Sequence, residues 1–251
     1  MATSVISSIS RMGTIEPFDL QVARGHITGH STVNIYGAQG AVSTAYIPLW
    51  ENAAAYVYPV SAATMHLASS VNAGADLSAT VRIQGLDATY VAISETLALN
   101  GTTAVTTVNS YLRINSISVA TGVPTGVITL KNMADTTTYG QIAAGVGRSQ
   151  MSIYTVPAGS TLYISRVDAY TSLNGAVADY SIYRNYSSSS AGVVSVSQQA
   201  PFTNSYHALR VMPRPFVEKT DIQLQSKALT GPAYTSIAAE GYLIANNGQA
   251  L

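Results

Sequence analysis

Short runs of alternating apolar and polar residues, each cut off by turn residues before it grows long, constrain this chain more than any other feature. In Ala79-Thr80-Val81-Arg82-Ile83-Gln84-Gly85, Val81 and Ile83 share one face and Arg82 and Gln84 the other, the period-two pattern of a half-buried strand. Ile222-Gln223-Leu224-Gln225 repeats it. From Tyr111 to Val119, Leu112 and Ile114 begin on one face while Ile117 and Val119 continue on the other, a phase change that one bulged residue would repair. Ser, Thr, Val, Ala, Ile and Tyr dominate, and stiff β-branched and aromatic side chains pack well on a pleated surface.

Turn chemistry supplies the punctuation. Asn100-Gly101 separates Glu95–Leu99 from Thr102–Thr106 and predicts a hairpin turn with positive φ. Val156-Pro157-Ala158-Gly159 predicts a second tight reversal between Met151–Tyr154 and Thr161–Ile164, with proline presetting φ and glycine taking the left-handed position. Strand-like runs recur roughly every 8–14 residues, the spacing of a sandwich or barrel. The best helical candidate, Ile142 to Gly147, is short and broken by glycines. The expected fold class is all-β, a β-sandwich or jelly roll, as one body or two β-sandwich halves. Residues 1–15 are polar and Ser-rich and read as an N-terminal arm, with 16–131 and 132–251 as the two halves and a seam within 132–150. Ser187 to Ser190 reads as a loop tip between strands over 178–186 and 192–198.

Charge excludes some partners. Only 10% of residues are charged, and twelve basic and twelve acidic side chains cancel, so no net field draws the chain onto nucleic acid or an anionic membrane. Ordinary soluble domains carry about a quarter charged residues, and a scarcity of this kind predicts a surface covered by neighbours. With no cysteine, disulfides, thiolate catalysis and Cys-based zinc sites are ruled out. The first twenty residues hold no continuous apolar stretch, so the expectation is assembly in a cytoplasm without a secretory signal.

The residues that chemistry would need are scattered. His26 and His30 stand four apart, but in an extended segment that is about 13 Å, with no third ligand nearby. Gly29-His30-Ser31-Thr32-Val33 starts like a nucleophile elbow but ends on valine where glycine is required. Asp87 and Glu95 flank one predicted strand, where a glycosidase would need them to converge; the plainer expectation is an Asx turn for Asp87 and a solvated or paired strand face for Glu95. The loop Ala143 to Ser149 lacks the lysine and helix of a phosphate-binding loop. No catalytic residue, metal or cofactor is expected.

Tyrosine is the informative excess, with 16 Tyr against 3 Phe and 1 Trp. Its apolar ring and polar tip suit a core or a subunit interface first and a sugar-binding groove second. Trp50, Tyr56 and Tyr58 form one candidate cluster, and Tyr154, Tyr163, Tyr170, Tyr180, Tyr183 and Tyr186 another. Nine of the twelve bases are arginine, which makes forked hydrogen bonds at interfaces. Arg210-Val211-Met212-Pro213-Arg214-Pro215 suits an extended strap gripping a neighbour, since its prolines oppose sheet pairing. The interface candidates are Arg11, Trp50, Tyr56, Tyr58, Arg210, Arg214 and Phe216.

The block Gly85-Leu86-Asp87-Ala88-Thr89-Tyr90, through Ile93 to Gly101 and on to Val105-Thr106-Thr107, resembles a family of bacteriophage virion structural proteins found in short-tailed marine and freshwater phages. Tyr111-Leu112-Arg113-Ile114-Asn115 and Tyr154-Thr155-Val156-Pro157-Ala158-Gly159 are similar to it as well, and the resemblance covers residues 80–165. It implies a β-sandwich or jelly-roll subunit of the particle and carries no catalytic residues to transfer. The resulting expectation is a capsid cement (decoration) protein on the virion surface, a homotrimer whose partners are the major capsid protein and copies of itself. The alternative is a tail fibre, spike or adaptor module that binds host surface glycan.

Overall fold

A computed structural model describes residues 16–52, 55–172, 181–189, 194–229 and 232–246, with side chains at 181–185 and 197–198 left aside. The N-terminal arm 1–15, and Arg11 with it, lies outside the described residues. Among the described residues every strand pairing is antiparallel. The all-β class read from the alternation therefore holds.

The chain begins with a short helix the sequence did not signal, α1 (Phe18–Ala23), which buries Val22. Two strands follow, β1 (His30–Val42) and β2 (Ile47–Pro48). The chain then builds a separate set of seven: β3 (Met65–Ser69), β4 (Thr80–Leu86), β5 (Ala92–Ala98), β6 (Val105–Thr106), β7 (Arg113–Thr121), β8 (Ile128–Asn132) and β9 (Thr138–Ile142). It returns through β10 (Ile153–Thr155), β11 (Ser160–Thr171), β12 (Ser181–Ser189), β13 (Val194–Phe202), β14 (Ser205–Phe216), β15 (Thr220–Ala228) and β16 (Ala233–Ala245). The sheets run β1-β16-β11-β14, β10-β15-β12-β13 with β2 also on β15, β6-β3-β8-β9, and β5-β4-β7.

Two apolar cores follow this division. Ile35, Leu162, Ile164, Val167 and Ile237 of the first sheet meet Phe202, Ile222 and Leu224 of the second in one cluster. Met65, Leu67, Ile128 and Leu130 of the third sheet meet Val81, Ile83, Ile114 and Ile117 of the fourth in the other. Burying each such side chain stabilises the fold by about 1.5–3 kcal/mol. The predicted alternation in β4 holds, with Val81 and Ile83 inside and Arg82 and Gln84 outside. So does the predicted bulge in β7: Gln84 faces Ser116 and Gly85 faces Ile114, which leaves Asn115 as the extra residue and puts Ile114 and Ile117 both in the core.

The expected halves 16–131 and 132–251 do not describe this arrangement. A break at 131/132 would cut β8, which pairs with β9, while β1 and β2 pair with β16 and β15 at the far end of the chain. The contiguous segment β3–β9 is instead set between β2 and β10. The two predicted turns are present, with Gly101 at φ 58° and Gly159 at φ 73°. Asn100 bridges to Thr103 across the first, but the strands that flank it do not pair on as the expected hairpin. After Asn100-Gly101 the chain passes from β5, paired with β4, to β6, paired with β3. After Pro157-Ala158-Gly159 it passes from β10, on β15, to β11, on β14 and β16. Each reversal is a corner between sheets. Ser187 to Ser189, expected as a loop tip, continue β12, where Ser187 Oγ meets Ser195 Oγ of β13 at 2.9 Å; Ser190 lies outside the described residues.

Candidate interaction surface

Two regions gather the residues singled out in the sequence, one inside the subunit and one on its surface. The inner region joins the two strand sets. The indole of Trp50 meets the ring of Tyr56 edge-on at 5.1 Å, and Tyr56 meets Tyr58 at 5.0 Å. Trp50 is 1% and Tyr56 8% exposed, so neither has surface to offer a neighbouring subunit. These two interface candidates are corrected to interior residues; a large ring is equally at home in a core and at an interface, and composition does not separate the two.

Polar groups complete the joint. Arg113 of β7 donates from Nε and Nη2 to both carboxylate oxygens of Asp221 on β15, at 2.8 and 3.0 Å. Its Nη1 donates to the carbonyls of Pro59 and Leu112, and its guanidinium lies 4.7 Å from the Tyr58 ring centroid and 5.5 Å from that of Tyr90. Burial opposes the Arg113 charge, yet the facing Asp221 carboxylate holds its pKa above the ordinary value. Thr155 Oγ1 donates to Asp221 at 2.6 Å, and Gln223 donates to the Tyr58 hydroxyl. Tyr90, whose φ of 65° is unusual for a non-glycine residue, accepts a backbone bond from Ala158. Bulged Asn115 pairs its side-chain amide with both backbone groups of Thr155, at 2.8 and 3.0 Å, standing in for a strand partner.

The surface region is the outer face of the sheet β1-β16-β11-β14. Alternation along β16 turns Ile237 and Ala239 to the core and Tyr234, Glu240 and Tyr242 away from it. On β11, Tyr163 and Tyr170 likewise point away from the core-facing Leu162 and Ala169. Tyr163 and Tyr242 are register partners. Phe18 of α1 stands edge-on to Tyr242 at 5.3 Å, and the Tyr242 hydroxyl donates to the Asp19 carboxylate. Burial first, and that bond second, push the Tyr242 pKa up to about 12. At the other end Tyr170 lies 6.5 Å from Tyr234, whose pKa burial and the adjacent Tyr36 hydroxyl raise. Between α1 and β14 this face sinks into a groove of about 870 Å³, with Phe18, Val33, Tyr163, Tyr242 and Ile244 among its walls.

Strand β14 edges the groove. Its register with β11 jumps from Arg166↔Leu209 to Ile164↔Arg214, so Ser165 alone faces Arg210, Val211, Met212 and Pro213. The excess chain bulges from the sheet edge. Leu209 is 80%, Val211 97% and Met212 85% exposed. Arg210 is half-buried at the groove rim, and Arg214 sits with its guanidinium 5.8 Å from the Phe216 ring. Phe216 itself is core, at 5% exposed, which corrects its place among the interface candidates. Val211 and Met212 fall within the strap read from the sequence, whereas Leu209 lies just outside it.

The remaining candidates part company. Asp87 Oδ1 accepts from Thr89 N, Thr89 Oγ1 and Val91 N, the predicted Asx turn, and these bonds lower its pKa. Glu95 accepts from Val108 N and Asn109 N. His26 lies 3.3 Å from Glu16, whereas His30 contacts the Thr28 carbonyl. Among the described residues no three His, Asp or Glu side chains gather as metal ligands, and no helix is long and apolar enough to cross a membrane. Fold and surface together define an antiparallel all-β protein with an aliphatic ridge beside an apolar groove. No protein-family model and no curated protein matches the chain.

Proposed function

We propose that this chain is a structural subunit of a bacteriophage virion, a capsid cement protein that stabilises the head by bridging major capsid subunits. The observation that carries the reading is the row Leu209, Val211 and Met212, nearly fully exposed on an edge strand of a weakly charged chain. Aliphatic groups held in water this way favour whatever association covers them. The resemblance of residues 80–165 supplies the virion setting. In this reading each pair of sheets forms a β-sandwich, the subunit is a homotrimer, and it has no reacting group of its own. Packaged DNA pushes the shell subunits apart; a rigid module that gains contact area only across the closed lattice shifts that balance back by linkage.

Quantitative gel analysis of purified particles tests this. A copy number comparable to that of the major capsid protein is the expected result, while about a dozen copies would place the chain in the tail. The outward tyrosines Tyr36, Tyr170 and Tyr234 favour the second reading, a tail module that stacks host sugars on its rings. Binding of the purified chain to host-surface polysaccharide, abolished by Tyr170→Ala and Tyr234→Ala, would decide for it.

A further inference from the structure

We propose that a second copy of this chain covers the groove, its exposed ridge Leu209–Met212 entering between Phe18, Tyr163 and Tyr242 of the first. This deepens the reading as an assembling subunit and rests on it, but it concerns what the purified chain does by itself.

The shapes are complementary. The bulge offers Val211 and Met212 at 97% and 85% exposure, and the groove of about 870 Å³ falls within the ~300–1000 Å³ of pockets that enclose a compact apolar group. The bulge already forms one wall of its own groove and is held there, because Leu209↔Arg166 and Arg214↔Ile164 pin β14 to β11 on both sides of it. Prolines 213 and 215 remove two backbone donors from this edge strand, which opposes joining by strand addition and leaves side-chain docking.

Charge does not oppose this occupant: the groove wall carries Asp19 and Glu240 beside the bulge's own Arg210 and beside Arg166 of β11, the latter paired with Asp168 at 2.7 Å. The formal net charge of zero leaves no long-range repulsion between copies. Ridge and groove lie side by side on one face, so a two-fold pair satisfies both at once, and a closed ring satisfies them in succession.

Sedimentation velocity of the full chain from micromolar to ~100 µM tests the proposal. The wild type is expected to associate, and Val211→Asp with Met212→Asp to weaken association at least ~tenfold without changing the melting temperature. Asn34→Trp, which fills the groove, is expected to do the same; mixing ridge-defective and groove-defective chains then restores a mixed complex. A wild type that stays monomeric, or a ridge variant that associates normally, overturns the proposal. So does association that both variants keep but removal of residues 1–15 abolishes, which would make that segment the occupant. If the monomer binds purified particles through the same ridge, the second copy is excluded while the cement reading stands.

Discussion

Arg113 and Asp221, 108 residues apart in the chain, close on each other as a forked ion pair that ties the inserted strand set to the strands enclosing it. Both side chains are nearly nine-tenths covered, so neither is easily rehydrated when its partner is lost. Asp221→Asn or Arg113→Met should therefore cost about 2–4 kcal/mol in urea unfolding, and the pair replaced together by Met and Leu should recover part of that loss. Additive single and double effects would show that the two residues do not act as a pair.

Asn115→Ala removes both hydrogen bonds that satisfy the Thr155 backbone. The expected cost is about 1–3 kcal/mol, with faster hydrogen exchange at the Thr155 amide. Unchanged protection there would mean that water or another group takes over the role.

Glu51 gives the fold a pH dependence. Burial, opposed by backbone bonds from Gln150 and Ala143, raises its pKa from 4.5 to about 7, and its Oε2 is buried without a hydrogen-bond partner. Between those values the unfolded chain has lost the proton and the folded chain keeps it, so stability falls as pH rises through this window and the penalty is complete above it. Glu51→Gln should stabilise by about 1–2 kcal/mol at alkaline pH, allowing for solvent screening, and change little near pH 4.5. Urea midpoints at both ends of the window measure this; an equal gain at both would contradict it.

Phe216→Ala and Trp50→Ala should each destabilise the monomer by about 3–5 kcal/mol, whereas Val211→Asp should stay within about 0.5 kcal/mol. Calorimetric melts at low protein concentration separate core from surface in this way. A large loss for Val211→Asp would show that the ridge packs internally.

Local patterns carried much of this fold. Val81 with Ile83 revealed a strand, and the phase change between Ile114 and Ile117 revealed the bulge, because side-chain alternation is set within a few residues. Asn100-Gly101 and Pro157 to Gly159 revealed reversals but not destinations: turn chemistry bends the chain, while the partner of the next strand depends on distant apolar faces. His30 facing Ile244 is the extreme case. For the same reason Trp50 and Phe216 resembled surface candidates until packing showed them inside. The stretch Arg210 to Pro215, read as a strap because its prolines oppose sheet pairing, belongs instead to β14, with Arg214 and Pro215 paired to β11 and only Arg210 to Pro213 bulging out.

The insertion of β3–β9 between β2 and β10 sets an order of events during synthesis. The inserted core can close once Ile142 has left the ribosome, since all its strands are contiguous. The enclosing core has to wait for Ala245, because β1 lacks its neighbour until the final strand emerges. Through that interval its unpaired first strand is the nascent chain's most vulnerable part, kept company by an already finished module.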